Sequence, residues 1–213
     1  MTGTRPRATR LPYAARNEQV LDVAEALFIE RGYTGVSMED IARSAGVSRP
    51  VVYEHLGGKE EAYLGCVRRV EQDWLERAVR RTAEETDPRA RLVAAVDEFF
   101  SMLEDNPGRW RLLFATGAVL GGAHERRLAE LHAASDAALH QLFLATFPDA
   151  PALHLEALAH AAAGTGERLG NWWTTTRPEL SRDEVVAHFL GIVWPSLAPW
   201  AGGPDRGAGS SGT

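Results

Sequence analysis

Residues 37–59 read SMEDIARSAGVSRPVVYEHLGGK, a pattern for two short helices meeting at a tight turn. Ser37 stands where an N-cap belongs, with Asp40 three residues on, a variant of the capping box. The first helix then runs from Met38 to about Ser44, and Ile41, Ala42 and Ala45 form its apolar side. Gly46 supplies the left-handed backbone that a sharp turn needs, and Val47 fills the angle between the helices. Ser48 is placed to cap the second helix. Pro50 falls in that helix's first turn, where a missing N–H costs nothing. The second helix is Arg49 to about Leu56. Val52 and Leu56, four apart, make its inner face, leaving Arg49, Pro50, Val51, Tyr53, Glu54 and His55 outward or sideways. A two-turn helix that exposes an Arg, a Tyr and a His is a poor core element. It suits a helix laid in the major groove of DNA. Gly57-Gly58 ends it, and Lys59 opens a new helix.

The run I-A-x-x-A-G-V-S, followed by Y-x-H and then G-K-E, resembles the TetR family of transcription regulators. The likeness continues upstream through Val20-Leu21-Asp22-Val23-Ala24, Leu27-Phe28 and Arg31-Gly32-Tyr33, and covers roughly Ala14 to Trp74. Two positions depart from the family pattern: Leu56 where Phe is usual, and Ala62 where Leu is common. Both shrink a core contact and neither removes a DNA-facing group. The resemblance implies a DNA-binding domain over 14–74 and an effector-binding and dimerisation domain over 75–200. It also implies that Tyr53, His55 and Lys59 touch phosphates. Arg49 is suited by chemistry to a bidentate contact with guanine, and Pro50 and Val51 to a thymine methyl. Ser37 and Ser48 complete the expected DNA-binding set.

The chain has 213 residues, and its 45% hydrophobic and 24% charged content is that of an ordinary globular protein. Its one cysteine, Cys66, excludes an internal disulfide framework and fits a reducing cytoplasm. No apolar run approaches the length of a membrane span. A net charge of −6 looks wrong for a DNA binder, but residues 1–80 are balanced and the whole excess falls on residues 81–213. Arg5, Arg7, Arg10 and Arg16 have no acid among them. They are read either as an arm that reaches phosphates or a minor groove, or as a soluble tail. Residues 1–13 are expected to be a disordered basic arm and the Gly-rich 201–213 a disordered tail.

Elsewhere the apolar spacing is helical and no strand pattern exceeds a few residues, so the expected fold is all-α with about nine helices. Helix one spans Arg16 to Arg31. A long helix from Lys59 to about Glu85 carries Tyr63, Cys66, Val67, Val70, Trp74 and Leu75, extended by Val79, and links the two halves. Asp87-Pro88 and Asn106-Pro107 start the next two, to about Glu104 and about Leu120. Residues 124–147, 152–174 and a final helix after the Ser181/Glu184 capping box complete the bundle, with Pro195 kinking or ending the last.

Catalysis finds little support. The seven histidines show no i, i+4 pair of the kind a helical zinc site needs, Cys66 lies on an apolar stripe, and no nucleophile elbow or phosphate loop appears. No metal and no cofactor is expected, and no enzyme. An all-α enzyme or a helical protein-interaction module remains the alternative. Phe100, Trp110, Phe114, Trp172 and Trp173 are candidates for an effector pocket between helices. Ala157, Ala161 and Gly164 are small enough for close helix approach, and the final helix is apolar on more than one side through Phe189, Leu190, Val193 and Trp194. With the resemblance, these are the expected dimer surface. The reading is a cytoplasmic homodimeric repressor that binds a near-palindromic operator and releases it on binding a small apolar or aromatic effector.

Overall fold

Helix α1 (Tyr13–Arg31) begins three residues before the expected Arg16, directly after Pro12, and Gly32 ends it at φ 68°. The structure is a computed structural model that describes residues 12–114 and 123–202. The arm to residue 11, the expected continuation of the Pro107 helix over 115–120, the Gly121-Gly122 pair expected to break it and the tail from 203 lie outside the described residues. Nine α-helices and no strand occur among those described. The chain divides into two units, Met1–Arg69 and Val70–Thr213, and the boundary falls inside the long helix α4 (Lys59–Thr82).

In the first unit α1 packs against both α2 (Met38–Ala45) and α3 (Arg49–Leu56). Apolar residues at helical spacing close the core: Val20, Ala24, Ile41, Val52 and Cys66 are each fully buried. Phe28 meets Tyr63 edge-on at 5.2 Å, and Tyr63 meets Tyr33 at 5.3 Å. Leu56 and Ala62, the two small departures from the family pattern, are both buried.

The second unit is a helical bundle of α5 (Pro88–Asp105), α6 (Pro107–Phe114), α7 (Ala123–Thr146), α8 (Ala152–Thr176) and α9 (Arg182–Leu197), with the last part of α4. Helix α5 packs on α6 and α9, and α8 lies between α7 and α9. Helix α9 runs two residues past Pro195 and closes in a 3-10 turn at Ala198–Trp200. One expectation for α4 fails. Leu75 and Val79 are 40% and 58% exposed, because the inward ladder steps by four through Val70, Trp74 and Ala78. A residue one position past each rung is turned about 100° away.

Candidate functional site

The turn between α2 and α3 is built as its residues dictate. The Ser37 hydroxyl accepts from the Asp40 N–H at 3.1 Å, and Asp40 accepts in return from the Ser37 N–H at 3.0 Å. The bond from the Ser37 hydroxyl, ahead of its backbone bond, holds the Asp40 carboxyl below its ordinary range. Gly46 closes α2 at φ 66°, ψ 30°, a left-handed pair that a side chain resists. Ser48 sits at the N-cap of α3 with extended backbone, yet its side chain makes no capping bond. One of the two N–H groups such a cap reaches is missing, because Pro50 at the second helical position has none to offer.

On α3, Arg49, Pro50 and Tyr53 are exposed, Val51 and His55 half-buried, and Val52 and Leu56 buried. The Arg49 guanidinium lies 5.5 Å above the Tyr53 ring and donates to its hydroxyl at 3.3 Å. The Lys59 ammonium sits 4.4 Å from the centre of the Tyr33 ring. Helix α1 holds the far end of α3, where carbonyls would lack intrahelical donors. Tyr13 donates to the Glu54 carbonyl at 3.3 Å and Asn17 to the His55 carbonyl at 3.0 Å. The Tyr13 ring also packs on that of His55, their centroids 4.3 Å apart and their planes tilted by 35°. The Tyr13 and Asn17 contacts are absent from the sequence reading, which put Tyr13 in the arm.

Helix α4 is tied at both ends of its course. Within the first unit Arg69 bonds Asp22 at 2.6 Å and also the buried Glu25 of α1. Burial works against the Arg69 charge, but these carboxylates outweigh it and raise its pKa. Within the second unit Asp73 pairs with Arg109 of α6 at 3.0 Å, Arg77 with Glu98 of α5 at 2.8 Å, and Arg81 with Asp97.

The second unit holds a cavity of about 330 Å³, within the range of small-molecule sites. Helix α4 contributes Glu71 and Trp74, and α5 contributes Leu92, Val96, Phe99 and Met102. Phe114 closes one side. Helix α7 contributes His132, Ser135, Asp136, Leu139 and Phe143, and α8 contributes Ala162, Ala163, Gly166 and Glu167. Of the five aromatic residues expected there, only Phe114 lines it. Phe100 is fully buried beneath, packed on Phe99, Trp173 and Phe189. Trp110 backs the wall, 5.2 Å from Phe99 and 4.5 Å from Phe114, with its indole N–H on Asn171 at 3.0 Å. Trp173 donates to the Leu180 carbonyl at 2.8 Å, and Trp172 turns the other way against His188. The overlooked lining had a signal. His132, Ser135 and Asp136 interrupt the α7 stripe between Leu128 and Leu139, and polar residues on an inward stripe mark a space that is not plain core.

Residues 20–64 match the model of the bacterial regulatory proteins, tetR family. The chain is 28% identical over 198 residues to the HTH-type transcriptional activator FasR of Mycolicibacterium smegmatis, covering 92% of this chain and 89% of that one. The chain is thus similar to TetR-family transcriptional regulators, with a DNA-binding head of that family's type at residues 20–64. Solved structures agree in fold. A TetR-like transcriptional regulator from Rhodococcus sp. RHA1 superposes with a TM-score of 0.67 at 24% identity, over 89% of this chain and 99% of that one. FadR from Bacillus subtilis, in complex with stearoyl-CoA, gives 0.72 at 16% identity, over 83% and 96%.

The expected dimer residues divide. Ala157, Ala161 and Gly164 lie exposed on α8. On α9, however, Phe189, Leu190 and Val193 are 5%, 8% and 2% exposed, buried in their own subunit, and Trp194 is half-buried. Helix α9 is apolar on several sides because α5 and α8 cover most of it. The surface it leaves open carries Ala187, His188, Gly191 and Ile192, with Ile192 57% exposed. No helix among the described residues is long and apolar enough to cross a membrane.

Proposed function

We propose that this regulator acts in the cytoplasm as a homodimeric repressor. Each subunit reads half of a near-palindromic operator with α3, and a small apolar or aromatic molecule in the cavity releases the DNA. The observation that carries this reading is Trp74: it lines the cavity, and it belongs to α4, which only two residues separate from α3. A ligand pressing on Trp74 therefore acts on the helix that Arg69 ties to α1. Release requires that the ligand bind one arrangement of α4 more tightly than another, by as much as it shifts the equilibrium. Subunits pair through the small exposed residues Ala157, Ala161 and Gly164 of α8 with Gly191 and Ile192 of α9.

One observation favours a second sign of regulation. The relative that matches along nearly its whole length is named an activator. The same head on the same operator activates or represses according to where the operator lies, so the DNA-binding chemistry is common to both. The test starts with selection of bound sites from a random DNA library. Two related half-sites are expected, and a single unpaired site would overturn the dimeric reading. A bound ligand that leaves operator affinity unchanged would overturn release, and a transcription assay on the selected site gives the sign.

A further inference from the structure

We propose that the cavity is built for an organic cation: a protonated amine on an apolar body. This rests on the ligand-binding reading above and names the ligand's chemical class. The first observation is charge. Among the described residues the lining includes Asp136 and Glu167 and holds no Lys or Arg. A carboxylate withdrawn from water needs donors or an opposite charge. Asp136 has the His160 Nδ1 at 2.9 Å. Glu167, half-buried in the wall, has no hydrogen bond or ion pair among the described residues. A carboxylate or phosphate head group in the same space would meet like charge, whereas an ammonium would meet its counter-ion.

The second observation is the ring wall. Trp74 and Phe99 pack edge-to-face at 5.6 Å and Phe114 follows at 6.3 Å from Phe99. Aromatic walls receive an apolar body, and ring faces attract a cation. The third is a pair of buried polar atoms with no hydrogen-bond partner among the described residues, Trp74 Nε1 and His132 Nε2. Such atoms are rare in native interiors and call for one. In its neutral form with the proton on Nδ1, His132 accepts an ammonium N–H at Nε2. The indole N–H donates to an oxygen elsewhere on the ligand.

Three probes of equal chain length separate the possibilities: decylammonium, decanol and decanoate. Each is titrated below its micellar concentration into the full chain at neutral pH, with tryptophan fluorescence and calorimetry as readouts. Decylammonium is expected to bind at least about tenfold tighter than decanol, and decanoate weakest. Glu167→Gln should bring the amine down towards decanol and leave decanol unchanged, with circular dichroism checking the fold. Asp136→Asn is the second variant should the first unfold. Decanoate binding as tightly as the amine would overturn the cationic class and leave the ligand-binding reading standing. An equal loss of amine and decanol affinity in folded Glu167→Gln would do the same. Binding of none of the three would overturn both.

Discussion

Arg49 and Lys59 are both exposed enough to meet DNA, and each rests on a tyrosine ring, Arg49 on Tyr53 and Lys59 on Tyr33. Their expected roles differ and so should their failures. A base contact specifies and a phosphate contact positions. Arg49→Ala should cost roughly 1–3 kcal/mol on the operator and relax the preference at one base pair of each half-site. Lys59→Ala should weaken operator and random DNA about equally and lower the salt slope by about one per subunit. Binding isotherms on both DNAs at several salt concentrations check this. Equal weakening by Arg49→Ala would mean that the guanidinium serves Tyr53 and not a base. At the same scale, Asp40 and Glu184 each accept from a capping serine, and both carboxyls are held below their ordinary range. For Asp40 the main cause is the Ser37 hydroxyl; for Glu184 it is the Ser181 N–H. A carboxyl with a depressed folded pKa contributes stability that is full above the unfolded value and lost as pH falls through the folded one. In a carbon-detected NMR titration each should therefore titrate below the ordinary value for its own residue type. Ser37→Ala should move Asp40 back up towards the ordinary value, while Glu184 stays where it was.

Helix α8 shows what small residues do to an element. Ala162, Ala163 and Gly166 line the cavity, and Gly170 lets Trp110 lie against the helix. A Cβ at Gly170 would stand 2.3 Å from the Trp110 ring and 3.0 Å from Leu103. Alanine is the better helix former by about 1 kcal/mol. Overpacking at a site this tight costs roughly 1–3 kcal/mol, and a displaced Trp110 would also lose its bond to Asn171. Gly170→Ala should therefore lower stability by roughly 1–2 kcal/mol, read from a urea titration. Trp110 backs Phe99 and Phe114, so the same variant should also weaken binding of a cavity ligand. Gly164 and Gly191 are the contrast: nothing lies within 4 Å of a Cβ built on either. Alanine at these two should leave the subunit's own packing undisturbed.

At the scale of the assembly, the open face of α8 and α9 is small and apolar: Ala157, Ala161, Gly164, Ala187, Gly191 and Ile192. Small residues let a second pair of helices come close, and a charge there would be trapped without a partner. Ile192→Glu should give a folded monomer at micromolar concentration with weakened operator binding, seen by sedimentation velocity and circular dichroism together. Leu190→Glu makes a control of a different kind. Leu190 is 8% exposed within its own subunit, so its charged variant should lose the fold and not merely the partner. A wild-type monomer at that concentration, or an Ile192→Glu dimer as tight as wild type, would remove this face from consideration.

The sequence by itself determined what depends on neighbours along the chain. The Ser37–Asp40 box, the left-handed Gly46, the span of α3 and the restarts at Asp87-Pro88 and Ser181 follow from capping, backbone freedom and a period of 3.6, all of them local. The inward turn of Val52 and Leu56 followed for the same reason, as did the all-α class. Only the tertiary structure decided which apolar faces meet each other. Periodicity says that Phe100, Phe189 and Leu190 lie on apolar faces, but not whether a face turns to a cavity, to a neighbouring helix or to a second subunit. That depends on helices far apart in sequence, and here α5 and α8 cover α9 while small residues on α8 leave a space that Phe99 and Trp74 border. The capping of α3 was decided in the same way: Tyr13 and Asn17, about forty residues upstream, reach the carbonyls of Glu54 and His55 only once α1 has packed against α3.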